Sequence, residues 1–157
     1  MGWLNNKRGR EAVMSGATGG KGGKVERLSS IRQSVTVKAS PVQVYEALMD
    51  SRSHAEITGS PANMTKKIGG KFTAWDGYIM GKNLELARGK KIVQEWRTTE
   101  WPEGFSPSRL EITLEEKGRG TLLRMVQTNV PPSQRDDYAQ GWTDCYWKPL
   151  KKYFESE

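Results

Sequence analysis

The sequence predicts one α+β domain in which an antiparallel sheet packs against a long C-terminal helix. A length of 157 residues suits a single domain with one core. Most of the chain consists of short β-prone runs separated by glycine-rich turns, and its last segment repeats apolar residues every three or four positions. Because a one-sided sheet and an amphipathic helix each need a covering partner, we expect them to bury each other.

The beginning of the chain differs in composition from the rest. The first 30 residues hold six Lys or Arg against two Glu, and seven of the chain's 17 glycines. Such a segment has too few apolar side chains to offset its ordering entropy, so we expect residues 1–28 to be a disordered basic arm and residues 29–157 to form the domain. The arm carries most of the net charge of +7. The nearly balanced remainder predicts no specific nucleic-acid partner.

Composition also excludes several classes of protein. No stretch approaches the roughly 18 consecutive apolar residues of a membrane-spanning helix, and the mean hydropathy is -0.73, so we expect no membrane insertion. A single cysteine, Cys145, cannot form an internal disulfide, which favours a cytoplasmic location. With only one histidine, His54, beside it, the sequence predicts neither a metal site nor a cofactor.

The predicted domain opens with a strand and two short helices. Apolar residues alternate over residues 31–39, which is typical of a half-buried strand. The segment Ser40–Gln43 then reads as a capping box with proline at the first helical position, which starts a helix. A second capping box at Ser53–Glu56 predicts a further short helix that ends before Gly59.

An antiparallel meander is predicted to follow. Gly69-Gly70, Asp76-Gly77 and three later glycine-containing segments separate the runs, and each can supply a tight turn. The six predicted strands lie near residues 62–67, 71–75, 77–86, 91–99, 108–116 and 121–128.

The last predicted element is a long amphipathic helix. Pro131-Pro132 ends the sheet, and Ser133 with Asp136 opens the helix. Pro149 lies inside the apolar pattern, so we expect a kink there or an early end to the helix. The apolar positions are Tyr138, Trp142, Cys145, Tyr146, Pro149, Leu150 and Tyr153.

Several motifs resemble a known family when taken in order and spacing. These motifs are Gly69–Phe72, Trp75–Ile79, Gly81–Leu86, Ile92–Arg97, Trp101-Pro102 and Gly141-Trp142. They span about residues 30–155 and resemble the activator of heat-shock protein 90 ATPase homologue family. The resemblance implies the helix-grip fold of START-like and Bet v 1-like proteins, in which a seven-stranded sheet wraps around the C-terminal helix. It also implies heat-shock protein 90 as a candidate partner.

Aromatic side chains are the main candidates for a binding site. Five of the six tryptophans fall in the predicted sheet and C-terminal helix, where they either pack the core or line a pocket for an apolar ligand. Arg97 lies on an alternating strand, either on the wet face or pointing inward as an anchor for a ligand carboxylate or phosphate. The predicted cavity lining is Phe72, Trp75, Tyr78, Trp96, Arg97, Trp142 and Tyr146.

No set of residues predicts catalysis. His54 and Cys145 are the only candidates for a base and a nucleophile, and no third group orients them. The sequence therefore favours a non-enzymatic binding domain for an apolar small molecule, a protein partner, or both. Three alternatives stay open: a co-chaperone that binds heat-shock protein 90 and modulates its ATPase, a cavity-based enzyme like some helix-grip relatives, and a nucleic-acid binder that acts through the basic arm.

Overall fold

The computed structural model describes residues 28–155. The predicted disordered arm, residues 1–28, therefore lies outside the described residues except for Leu28. The first strand, β1, spans Ser29–Val37, and the helices α1 (Pro41–Met49) and α2 (Ser51–Thr58) follow it. The strand and the two short helices occur in the predicted order.

Five more strands complete one antiparallel sheet. Its strand order is β1-β6-β5-β4-β3-β2, so every neighbouring pair except β1 and β6 is consecutive in sequence. β1 and β2 are the two edge strands. The remaining strands are β2 (Lys71–Ala74), β3 (Ile79–Ala87), β4 (Lys91–Thr98), β5 (Ser108–Lys117) and β6 (Gly120–Val130).

The sheet has six strands among the described residues, where the resemblance implied seven. The predicted strand at residues 62–67 is wrong: only Asn63 pairs there, in an isolated bridge with Thr73. The Asn83 side chain provides the physical reason, because its amide donates to the carbonyl oxygens of Thr65 (2.6 Å) and Lys67 (3.0 Å). These carbonyls are bound by a side chain and not by a neighbouring strand, so the segment follows the sheet edge as a loop.

Both short helices begin at a polar cap. The Ser40 hydroxyl accepts from the Gln43 backbone N–H, and the Gln43 side chain accepts from the Ser40 backbone N–H, as the predicted capping box requires. The second predicted box is wrong in its position. Asp50 is the N-cap of α2 and accepts from the Ser53 N–H at 3.0 Å, because the chain turns into α2 directly after α1.

The C-terminal helix runs from Arg135 to Glu155 in three parts, after a short 3₁₀ turn at Pro132–Gln134. These parts are α3 (Arg135–Trp142), a π-helical turn (Thr143–Trp147) and α4 (Lys148–Glu155). The helix does not end early at Pro149. It widens in the turn just before that residue, which fits a proline that cannot donate a backbone hydrogen bond to the preceding turn.

Candidate binding site

The inner face of the sheet and the C-terminal helix enclose an aromatic interior. Trp96 of β4 is 2% exposed and Trp142 of the helix is 3% exposed. Their ring centroids lie 5.4 Å apart, and Trp142 in turn stacks on Trp147 at 5.2 Å with an interplanar angle of 15°. Trp142 therefore joins the sheet to the π-helical turn through ring contacts on two sides.

A chain of buried hydrogen bonds fixes Trp142 in this position. Its indole N–H donates to Gln127 Oε1 at 2.8 Å, and Gln127 Nε2 donates to the Ser108 hydroxyl at 2.9 Å. Ser108 donates onward to the Trp96 backbone carbonyl at 2.7 Å. Because Gln127 is fully buried, each of these polar groups needs the partner it has.

A small cavity remains between the sheet and the helix. Its volume is about 30 Å³, which is enough for one or two water molecules. Gly81 contributes to the tight packing near it, because an added Cβ would overlap the Glu95 carbonyl and approach Phe72 Cε1 to 2.8 Å. The lining consists of Leu48, Met49, His54, Met64, Phe72, Ile92, Gln94, Trp96, Leu110, Ile112, Trp142, Tyr146 and Trp147.

A histidine–tyrosine pair forms the main polar part of the cavity wall. His54 Nδ1 lies 2.9 Å from the Leu48 carbonyl oxygen, and His54 Nε2 lies 2.6 Å from the Tyr146 hydroxyl. A carbonyl can only accept, so Nδ1 carries the proton of the neutral ring and Tyr146 donates to Nε2. Both ring nitrogens of the buried His54 are therefore occupied.

Burial sets the protonation of this pair. Desolvation lowers the pKa of His54 below its ordinary value of 6.5. Desolvation also raises the pKa of Tyr146, with a smaller contribution from Cys145. The indole N–H of Trp75 interacts with the Tyr146 hydroxyl and partly offsets that rise, although the buried Nε1 makes no hydrogen bond of normal geometry. The neutral ring and the neutral phenol are the stable forms.

Gln94 is the other polar residue of the wall. It is 5% exposed, and its Nε2 donates to Asn83 Oδ1 at 2.9 Å. Within residues 28–155, no group donates to the carboxamide oxygen of Gln94. The cavity wall thus contains one hydrogen-bond acceptor that is still available.

The structure brings together four of the seven predicted site residues. Phe72, Trp96, Trp142 and Tyr146 line the cavity. The other three do not belong to its lining, and each has a different location.

Arg97 faces away from the cavity. It follows the inward-facing Trp96 on β4, and successive side chains of a strand point to opposite faces. Arg97 is therefore not part of the cavity lining, and its side chain lies on the outer face of the sheet. Tyr78 directly precedes β3, and its hydroxyl donates to Glu100 at 2.7 Å. Trp75 lies in the turn before it, with a positive φ of 53°.

Nine of the thirteen lining residues were not predicted as cavity residues, and the polar or aromatic ones among them are His54, Gln94 and Trp147. Trp147 could have been found, because the sequence carries an aromatic residue directly after Tyr146 and a widened turn allows both to face inward. His54 had no comparable signal. Its partner Tyr146 lies 92 positions away, so the pairing depends on how α2 and the C-terminal helix meet.

Residues 28–155 contain neither a metal-binding cluster nor a membrane-spanning helix. No group of three or more His, Cys, Asp or Glu side chains in this part of the chain could hold a metal ion. No helix of the same residues is both long enough and apolar enough to cross a membrane.

A curved antiparallel sheet closed by one C-terminal helix around an aromatic interior defines a helix-grip domain. A family model described as "Activator of Hsp90 ATPase homolog 1-like protein" matches residues 38–155. The chain therefore belongs to this family, as its motifs indicated. The fold class, the antiparallel sheet and the long C-terminal helix predicted from the sequence are confirmed.

Curated relatives are longer than this chain. A human protein named activator of 90 kDa heat shock protein ATPase homolog 1 is 30% identical over 119 residues, which cover 76% of this chain and 35% of that protein. An uncharacterized protein of Schizosaccharomyces pombe is 29% identical over 143 residues, covering 91% and 42%. The chain thus matches well under half of the length of these relatives.

A solved structure has the same fold. The crystal structure of an HSP90 activator from Plasmodium falciparum matches with a TM-score of 0.72 and 24% identity, covering 78% of this chain and 94% of that one. At this identity the similarity supports the arrangement of sheet and helix, and nothing finer.

Because His54 is buried, we predict that the folded protein loses stability in mild acid. Its folded-state pKa is lowered, so the unfolded chain takes up the proton first as the pH drops below 6.5. The free energy of unfolding should decrease from pH 6.5 downward, with a slope of at most about 1.4 kcal/mol per pH unit. Urea unfolding at several pH values measures it.

The control is His54→Gln, which keeps a polar side chain and cannot titrate. The pKa values of Glu46 and Asp50 are also lowered, from ordinary values of 4.5 and 3.8. The stabilisation that these carboxylates give the folded state is therefore lost only at lower pH. A slope between pH 6.5 and 5 that survives in His54→Gln would contradict the assignment to His54.

Proposed function

We propose that this domain is a non-enzymatic binding module whose partner is a protein. The proposal rests on one observation: side chains fill nearly all of the space between the sheet and the C-terminal helix. About 30 Å³ remains between sheet and helix, whereas sites for small substrates commonly have about 300 Å³ or more. The aromatic contacts of Trp142 occupy the space that such a site would need. A rigid domain of this kind meets its partner on its outer surface.

The chemistry of the cavity wall supports a role other than catalysis. A general base needs a free nitrogen near the substrate, and both nitrogens of His54 are already bonded. Burial raises the pKa of the half-buried Cys145 thiol, which disfavours the thiolate that a nucleophile requires. The cavity-based enzyme considered from the sequence therefore receives no support from these residues.

We propose the 90 kDa heat-shock protein as the partner. The human relative, 30% identical to this chain, is named for activating the ATPase of that chaperone. The match covers 35% of the human protein, so the function transferred is that of one domain. Cys145 is a free thiol, and we place the interaction in the cytoplasm, where thiols remain reduced.

An ATPase titration tests this partner. Adding the full chain to the purified chaperone of the same organism should change its rate of ATP hydrolysis in a saturable way, because binding to one conformational state shifts the chaperone's equilibrium. An inhibitor of the chaperone's nucleotide site provides the background rate. An unchanged rate, together with no heat of binding in calorimetry at saturating concentrations, would reject the chaperone as partner.

A second candidate function is binding of an apolar small molecule in the cavity. The apolar lining favours it, since Met49 and Met64 have flexible side chains that can move to enlarge the space. The available Gln94 oxygen could accept a hydrogen bond from the one polar group of such a ligand.

Native mass spectrometry of protein purified from its own host tests the second candidate. A ligand should appear as an added mass that Met64→Phe removes, because Met64 lines the cavity and a larger ring there would fill it. Leu84→Phe is the matched control, since Leu84 is 38% exposed and absent from the lining. Protein without any added mass, which also fails to bind an apolar dye, would reject the small-molecule function.

A further inference from the structure

A second depression lies outside the aromatic interior, between edge strand β1 and the C-terminal helix. Its volume is about 410 Å³, more than ten times that of the inner cavity. We call it the β1–helix groove, and its lining comes from residues 33–35 of β1 and from Thr143, Trp147, Lys148 and Lys151 of the helix. Trp147 lines both spaces, so its indole forms the wall between them.

The strand side of the groove can pair with another backbone. β1 bonds to β6 along one side and, among residues 28–155, has no neighbouring strand along the other. The Arg135 side chain binds the Ser30 carbonyl at 2.8 Å and so closes one end of this open edge. The Gln33 side chain accepts a hydrogen bond from Trp147 Nε1 at 2.7 Å and donates one to the Ala139 carbonyl at 2.9 Å. These two bonds link β1 to the C-terminal helix. An exposed strand edge of this kind can bind an extended peptide as an additional strand.

The helix side of the groove is basic. No carboxylate belongs to its lining. Lys148 is paired with Asp144 at 3.4 Å, whereas Lys151 is exposed and has no acidic partner among residues 28–155. Charge complementarity therefore selects an acidic occupant.

We infer that the β1–helix groove binds an extended acidic peptide segment of a partner protein, which adds to β1 as a further strand and places a carboxylate beside Lys151. Backbone pairing requires alternating N–H and C=O groups, which a peptide has and a nucleic acid lacks. The inference goes beyond the choice of chaperone as partner, because it names the surface and the chemistry of the segment that this surface accepts.

Fluorescence anisotropy with the full chain tests the inference. The probe is a labelled ten-residue peptide of alternating Glu and Val, and its comparison has the same sequence with every second backbone nitrogen methylated. Only the unmethylated peptide should bind, because methylation removes the N–H donors but leaves the charge. Lys151→Glu should weaken binding by at least about fivefold at 0.15 M salt.

Lys67→Glu is the matched control. It makes the same change of charge at an exposed lysine beside the opposite edge of the sheet, and binding should stay within about twofold of the wild-type value. In ¹H–¹⁵N spectra, the amides of residues 33–35 and 143–151 should shift on addition of the unmethylated peptide.

Four results would overturn the inference: equal affinity for the methylated peptide, equal loss of affinity in Lys67→Glu, shifts confined to other parts of the domain, or no binding at 1 mM peptide. Preferential binding of a ten-nucleotide uridine strand would overturn it as well. None of these results bears on ATPase stimulation through another surface, so the two proposals fail separately.

Discussion

The packing of Trp142 between the sheet and the π-helical turn is the contact on which the other features depend. Its ring touches Trp96 on one side and Trp147 on the other, and its N–H is bound by the fully buried Gln127. Loss of this residue would remove ring contacts and leave an unpaired oxygen in the core at the same time. The position of the helix against the sheet and the small size of the cavity between them both depend on this packing.

The two sides of the C-terminal helix have different roles because of this contact. On the inner side, the aromatic rings and the His54–Tyr146 pair hold the helix against the sheet and leave about 30 Å³. On the outer side, Trp147 and two lysines line an open groove beside the edge of β1 that no strand of residues 28–155 covers. A domain that is closed inside and open along one edge is better suited to binding a protein than to enclosing a ligand.

Much of the fold could be predicted from the sequence, because local signals were strong. The capping box at Ser40 and the spacing of Trp142, Tyr146 and Leu150 each describe an element that needs no distant residue to be recognised. The strand predicted at residues 62–67 failed for the opposite reason. The Asn83 side chain, which is distant in sequence, donates hydrogen bonds to the carbonyl oxygens of Thr65 and Lys67. The pattern of apolar residues in the segment does not indicate such a bond.

The site was less predictable than the fold. Aromatic residue type and spacing indicated Phe72, Trp96, Trp142 and Tyr146, since large apolar rings on alternating or helical positions tend to face the core. The sequence does not assign Arg97 to the inner or the outer face of its strand, because alternation alone does not show which face points inward. The His54–Tyr146 bond and the β1–helix groove depend on elements that meet only in the folded chain.

The free energy of unfolding of Trp142→Ala tests the central role of this residue most directly. Denaturant unfolding should show a loss of about 3–5 kcal/mol relative to the wild type, because a large aromatic side chain is removed from a packed core. Val42→Ala, at a surface position that is 38% exposed, is the control and should change stability by less than about 1 kcal/mol. A loss in Trp142→Ala no larger than that of the control would contradict the account.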